Sequence, residues 1–205
     1  MQPKEEVMNF DELTEAILKC NDCETKFGFH PIPILHGTVN SKIFQISQAP
    51  SHNVHLTRTP FNDSTGKKLK YEWYRVNDDV FYNKDNFYIS ALGHCFPGKN
   101  SKGGDKLPPK YCSDKWLRKE INLVNNILFI IIGAKAAKYF FPHSEYNDLI
   151  FRDSNLNGKT TIVLPHPSPL NIKWFKDHPD FESNRLPEIR AIILNILGVE
   201  NDNNT

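Results

Sequence analysis

The stretch TTIVLPHPSPL, Thr160 to Leu170, carries a β-rich apolar run straight into a loop in which His166 stands between Pro165 and Pro167. Proline fixes its own φ and restricts the residue before it, so Pro165, Pro167 and Pro169 stiffen this loop. A histidine held in this way at the end of a strand is placed to make one aimed hydrogen bond. Three more apolar runs precede it: KIFQIS (42–47), NFYISAL (86–92) and LFIIIG (128–133). All four are nearly continuous rather than alternating, the mark of strands buried on both faces.

Helical patterns fall between these runs. Leu69, Trp73 and Val76 line one side of a helix after the first run. Leu117, Ile121 and Val124 do so after the second, with Ser113 as the expected N-cap, and GAKAAKYF (133–140) opens a helix after the third. The last helix carries Leu186, Ile189, Ile193 and Ile196 on one face, with Pro187 in its first turn. Strands alternating with helices imply a parallel sheet covered on both sides. The expected fold is a single α/β domain over residues 1–205. It is a three-layer α/β/α sandwich around a mainly parallel four-stranded sheet, with flexible ends at 1–8 and 199–205.

A chain of 205 residues with 39% hydrophobic and 24% charged residues has enough apolar material for a real core. No apolar run approaches the roughly 20 residues a membrane span needs, and MQPKEEVMNF lacks the apolar segment of a signal peptide. The expectation is a cytoplasmic monomer with no membrane partner. A net charge of +1 gives no global attraction to nucleic acid, so DNA binding would depend on local basic patches.

Near the N-terminus, Asn9 or Asp11 can cap a short helix with Phe10, Leu13 and Ile17 on one face, leading into Cys20 and Cys23. The proline-rich FHPIPILHG (29–37) reads as extended loop. Cys20, Cys23, Cys95 and Cys112 form a set more typical of metal binding than of disulfides in an intracellular protein. Four unrelated buried thiols is the blander alternative. Zinc and an iron–sulfur cluster both accept four thiolates, and the spacing leaves both open.

The first, second and fourth runs each lead into a loop rich in Pro, Gly, Ser and His: QAPSHNVHLTRTPFNDSTG, GHCFPGKNSKGGDKLPP and PHPSPLN. Ligands of open parallel sheets bind beyond the carboxyl ends of the strands, so three unusual loops at one edge define one active site.

These loops, in this order, resemble the three motifs of the uracil-DNA glycosylase superfamily. Gln48-Ala49-Pro50-Ser51 and Thr59-Pro60-Phe61 stand for the first motif, the Cys, Pro and Gly of GHCFPGK for the second, and HPSPL for the third. The resemblance implies that Phe61 is the platform on which an extruded base stacks. It makes His166 the donor to uracil O2 as negative charge develops there, and Leu170 the apolar wedge that enters the base stack. Ser51, Ser64 and Ser168 are then phosphate contacts. Arg58, Lys67, Lys68, Lys99, Lys102 and Lys106 supply a local positive patch. The cysteine spacing matches the [4Fe–4S]-containing branches, which favours that cluster over zinc, in a structural role.

Two positions depart from the pattern. Val54 and His55 replace the acidic stretch of the first motif, leaving His55 to orient the water, with Asp63 the nearest carboxylate. Ala91 stands where many relatives have an Asn that reads the uracil edge, so main-chain groups near Gln48 and Gly93 are expected to bind the base instead. The implied activity is base flipping and hydrolysis of the N-glycosidic bond in uracil-containing DNA. The alternatives are a glycosylase for hypoxanthine or xanthine, or a non-catalytic binder of damaged or single-stranded DNA.

Overall fold

A computed structural model of the chain describes residues 8–200. Its centre is a sheet of five strands: β1 (Ile43–Ser47), β2 (Phe87–Ala91), β3 (Leu128–Ile132), β4 (Ser154–Leu156) and β5 (Lys159–Leu164). Their order is β2-β1-β3-β5-β4, with β2, β1, β3 and β5 mutually parallel and β4 antiparallel to β5 at one edge. The four expected strands are all present; the fifth corrects the count. β4 is short and partly exposed, and it joins β5 through Asn157 and Gly158, both at positive φ. An Asn-Gly pair in that conformation is the favoured two-residue hairpin turn.

Each parallel strand is buried on both faces because its side chains serve two cores. Ile43, Phe87, Ile89, Ile130 and Ile162 pack with Leu69, Trp73, Tyr74, Ile189 and Ile193 on one side. Phe44, Ile46, Tyr88 and Phe129 pack with Leu117, Ile121 and Val124 on the other. Three layers result, as the unbroken apolar runs imply. Each fully buried side chain of this size contributes about 1.5–3 kcal/mol by leaving water.

The helix Phe10–Leu18 begins at a reciprocal cap: Asn9 Oδ1 accepts from Glu12 N (3.0 Å) and Glu12 Oε2 accepts from Asn9 N (2.9 Å). Residues 29–37 run extended along the open edge of β2, where Ile89 N donates to His36 O (2.8 Å). That covers backbone groups an edge strand would otherwise expose. The helix before β3 starts at Lys110, directly after Pro108-Pro109, and runs through Leu123 with wider π-helical turns over Ser113–Leu117. Ser113 therefore lies inside the helix, its hydroxyl donating to Lys110 O (2.9 Å), and is not the N-cap. In the last helix, Leu186–Leu197, Leu186, Ile189, Ile193, Leu194 and Leu197 are buried, while Ile196 is only half-buried. The ends expected to be flexible lie outside the described residues except Met8, Val199 and Glu200. Val199 N donates to Leu194 O (3.0 Å).

After β1 the chain adds β2 on one side and later β3 on the other, so the sheet's switch point lies at β1. The loops that follow β1, β2 and β5 leave the same edge of the sheet, where such folds bind ligands.

Candidate active site

Those three loops enclose a cleft of about 270 Å³. Gln48, Pro50, Ser51, Val54, Pro60, Phe61 and Asp63 line it from the loop after β1, Ser90 from β2, Asp105 from the loop after β2, and His166 and Ser168 from the loop after β5. The space is at the small end of ligand pockets, which run roughly 300–1,000 Å³. A flat ring the size of a nucleobase fits a space of this volume.

His166 is oriented by its own loop. Ser168 N donates to His166 Nδ1 (3.2 Å), and Asn171 Nδ2 donates to His166 O (3.2 Å). An Nδ1 that accepts a hydrogen bond leaves the proton of a neutral ring on Nε2, free to be donated to a guest. Burial lowers the pKa of His166 below its ordinary value, partly opposed by the carboxylates of Asp63 and Asp105. Since the residue remains open to solvent, the effect is limited, but its direction keeps the ring neutral. The ring lies over Gly133, whose φ is +87°, and a Cβ there would stand 3.5 Å from His166 Cδ2.

Phe61 is held by an unusual turn. Its φ is +54°, a left-handed conformation rarely adopted by a non-glycine residue. Gly66 makes that turn possible: a Cβ on Gly66 would fall 1.8 Å from Phe61 O. The Tyr82 hydroxyl donates to Pro60 O (2.9 Å), and the Phe61 ring meets Phe81 edge-on at 6.1 Å. Asp63 closes the turn by accepting from Gly66 N (3.0 Å) at Oδ1 and from Ser51 Oγ (3.3 Å) at Oδ2. A strained backbone fixed by this many contacts is the kind of device found at functional sites.

The family model of the uracil DNA glycosylase superfamily matches residues 35–190, from the end of the proline-rich passage into the last helix. The chain belongs to the uracil DNA glycosylase superfamily. That family supports DNA glycosylase chemistry, and it accounts for a base-sized cleft whose walls are a fixed aromatic ring and an aimed imidazole.

For this member of the superfamily, the structure brings His166, Phe61, Gln48, Ser51 and Ser168 together around the cleft. It does not bring the others there. His55 points away: its ring packs near Phe96 (5.8 Å) and His52 (6.4 Å), and its buried Nδ1 has no partner among the described residues. Burial, with the nearby charges of Arg58, His52 and His30, lowers its pKa. Ala91 is buried at the end of β2, and Gly93 is packed against Pro108 while its N–H donates to Gln48 O (3.2 Å). Ser64 and Lys67 are exposed on the short helix beyond Asp63. Leu170, 95% exposed, stands on the loop two residues beyond Ser168. The basic patch is thinner than the sequence suggests, because Lys68 pairs with Glu182 (3.4 Å) and Lys99 with Asp105 (2.6 Å).

The four cysteines are all free thiols; Cys23, Cys95 and Cys112 are buried and Cys20 partly so. Burial pushes Cys23 up to about 11 and Cys95 up to about 12, and the other members of the set add to both shifts. Among the described residues, no group of three or more His, Cys, Asp or Glu side chains is arranged to hold a metal ion.

A buried polar network beside Cys112 escaped the sequence reading. His94 Nε2 lies 3.0 Å from Glu120 Oε2, and Glu120 also accepts from Tyr88 OH (2.9 Å) and Ser90 Oγ (3.1 Å). The other ring nitrogen, His94 Nδ1, lies 3.5 Å from Cys112 Sγ, which also accepts from His94 N (3.5 Å). Burial opposes a charge on His94. The Glu120 carboxylate and the hydrogen bonds to Cys112 and Glu120 outweigh it, pushing the pKa up to about 10. A signal existed: Glu120 falls at helical spacing on the apolar face marked by Leu117, Ile121 and Val124.

Proposed function

We propose that this protein is a uracil-DNA glycosylase of base-excision repair, a monofunctional hydrolase acting inside the cell as a monomer on uracil-containing DNA. The observation that carries the reading is the convergence of His166 and Phe61 on one base-sized cleft. The uracil stacks on Phe61, an interaction worth about 1–3 kcal/mol per base. His166 Nε2–H donates to the uracil O2. As the bond between C1′ and N1 breaks, the electron pair leaves with the base, and the neutral imidazole stabilises the anion at O2. The sugar becomes oxocarbenium-like, a water oxygen bonds to C1′, and the proton that the water loses ends on the uracil anion, so the products are neutral uracil and an abasic site. Leu170 fills the space in the stack, and Ser51 and Ser168 contact backbone phosphates beside it.

Cys20, Cys23, Cys95 and Cys112 are proposed to hold a [4Fe–4S] cluster, with structural zinc the alternative. Four free thiols, one of which accepts a hydrogen bond from His94 N, are the donor set that such a centre takes. When bound, it supplies a cross-link between the N-terminal helices, the loop after β2 and the helix beginning at Lys110. Iron and acid-labile sulfide analysis of anaerobically purified protein, with Cys→Ala variants, decides between iron, zinc and neither.

A second reading, removal of another deaminated base, draws support from Ala91, an apolar residue outside the cleft lining where a base-reading amide would be expected. Oligonucleotides carrying one uracil, hypoxanthine or xanthine test both. Free uracil and an alkali-labile abasic site are expected; release of only another base transfers the assignment to it. Tight binding without turnover marks a non-catalytic binder, and no release from any substrate refutes the glycosylase reading.

A further inference from the structure

Glycosidic hydrolysis requires a water held on the sugar side of the leaving base, and a negative charge there favours the developing oxocarbenium ion. Among the described residues that line the cleft, two are carboxylates, Asp63 and Asp105. Asp63 is committed to the fold: Oδ1 accepts from Gly66 N and Oδ2 from Ser51 Oγ, the contacts that hold the Phe61 turn. Asp105 is committed on one side only. Its Oδ1 is 2.6 Å from Lys99 Nζ, while Oδ2 has no protein partner among the described residues.

The segment presenting Asp105 is built to hold still. Lys99 and Asp105 face each other across an antiparallel bridge, Lys106 N donates to Gly98 O (2.9 Å), and Asn100 N donates to Gly104 O (2.8 Å). Inside the turn, Asn100 Oδ1 accepts from Lys102 N (2.9 Å) and Gly104 N (3.2 Å). Gly98 and Gly103 sit at φ +86° and +81°, so the string GKNSKGGD is what a tight hairpin requires here. Lys99 holds one carboxylate oxygen, and Asp105 lines the same cleft as His166, close enough for its charge to act on the imidazole.

We propose that Asp105 is the carboxylate that positions the hydrolytic water, with Lys99 and the hairpin holding it in place. The inference rests on the glycosylase reading and adds to it a catalytic residue from the loop after β2. His55, turned away from the cleft, has no part in it. Water held by a fixed carboxylate typically contributes 10²–10⁴-fold.

The test is single-turnover base release by wild type, Asp105→Asn and Asp105→Glu, with affinity for a non-cleavable 2′-fluoro-uracil duplex measured alongside. The expected result is a rate loss of about 100-fold or more in Asp105→Asn. Affinity and melting temperature should match wild type, with part of the rate restored in Asp105→Glu. Wild type active and Asp105→Asn within about threefold of it overturns the role of Asp105 alone. A rate loss matched by an equal loss of affinity also overturns it, making Asp105 a DNA contact. A wild type that releases no base from any deaminated substrate overturns the glycosylase reading, and the water-positioning role with it.

Discussion

Replacing Glu120 by Ala should unfold this protein more easily than any surface change, because the carboxylate is the hub of a buried network. It is fully buried and takes hydrogen bonds from Tyr88 OH and Ser90 Oγ while lying 3.0 Å from His94 Nε2. Its removal leaves the buried Tyr88 hydroxyl without its acceptor, and Ser90 and His94 with only each other (3.3 Å) and Cys112 as partners. Each orphaned group costs about 1–3 kcal/mol, and an uncompensated buried charge about 3–5 kcal/mol. These costs overlap, since an unpaired His94 can lose its proton, so a net loss of about 3–5 kcal/mol is the expected figure. With a urea slope of about 2 kcal/mol per molar, the midpoint should fall by roughly 2 M. Urea titration followed by tryptophan fluorescence and by circular dichroism reads this directly. Glu120→Gln, which keeps an acceptor but loses the charge, should lie between Ala and wild type. A midpoint shift below about 0.5 M for Glu120→Ala would refute the network as a major support of the fold.

Gly66→Ala should be among the most damaging small substitutions, since its Cβ would fall 1.8 Å from Phe61 O; a loss of about 1–3 kcal/mol in a thermal melt, together with weakened uracil-DNA binding, is expected. Phe61→Ala should weaken binding to a non-cleavable uracil duplex by about 1–3 kcal/mol, roughly 5–150-fold, while far-ultraviolet circular dichroism stays unchanged. The His166 ring should titrate below the ordinary histidine value of 6.5 by NMR, because burial lowers its pKa. The folded state then holds that proton less tightly than the unfolded chain does. Its contribution to stability is therefore complete above pH 6.5 and falls away as pH drops from 6.5 through the folded value, a slope His166→Gln should reduce.

The loop chemistry and the sheet could be read from the chain because their signals are local. Unbroken apolar runs mark strands buried on both faces, and a proline-clamped His166 at the end of one of them marks the site edge. β4 leaves no apolar signal in the sequence because its three residues are partly polar and carry no period; only the Asn157-Gly158 turn announces it. Ser113 looked like a cap because hydroxyl residues favour helix starts, yet Pro108 and Pro109 already start the helix before it. The facing of His55 depends on how a six-residue helix, His52–Thr57, rolls: Val54 meets the cleft and His55 the opposite side. Asp105 sits in a glycine-rich hairpin with no periodicity, so only the folded chain places it on the cleft that His166 also lines. The convergence of Ser90, His94 and Glu120 is likewise tertiary, although a carboxylate on an apolar helix face was visible from the start.

The most direct test of the account is single-turnover release of uracil from a single-uracil oligonucleotide by wild type and by His166→Ala, with DNA affinity measured in parallel. Loss of one aimed donor to a developing oxyanion predicts a rate lower by about 10²–10³ with affinity nearly unchanged. Equal rates for the two proteins would contradict it.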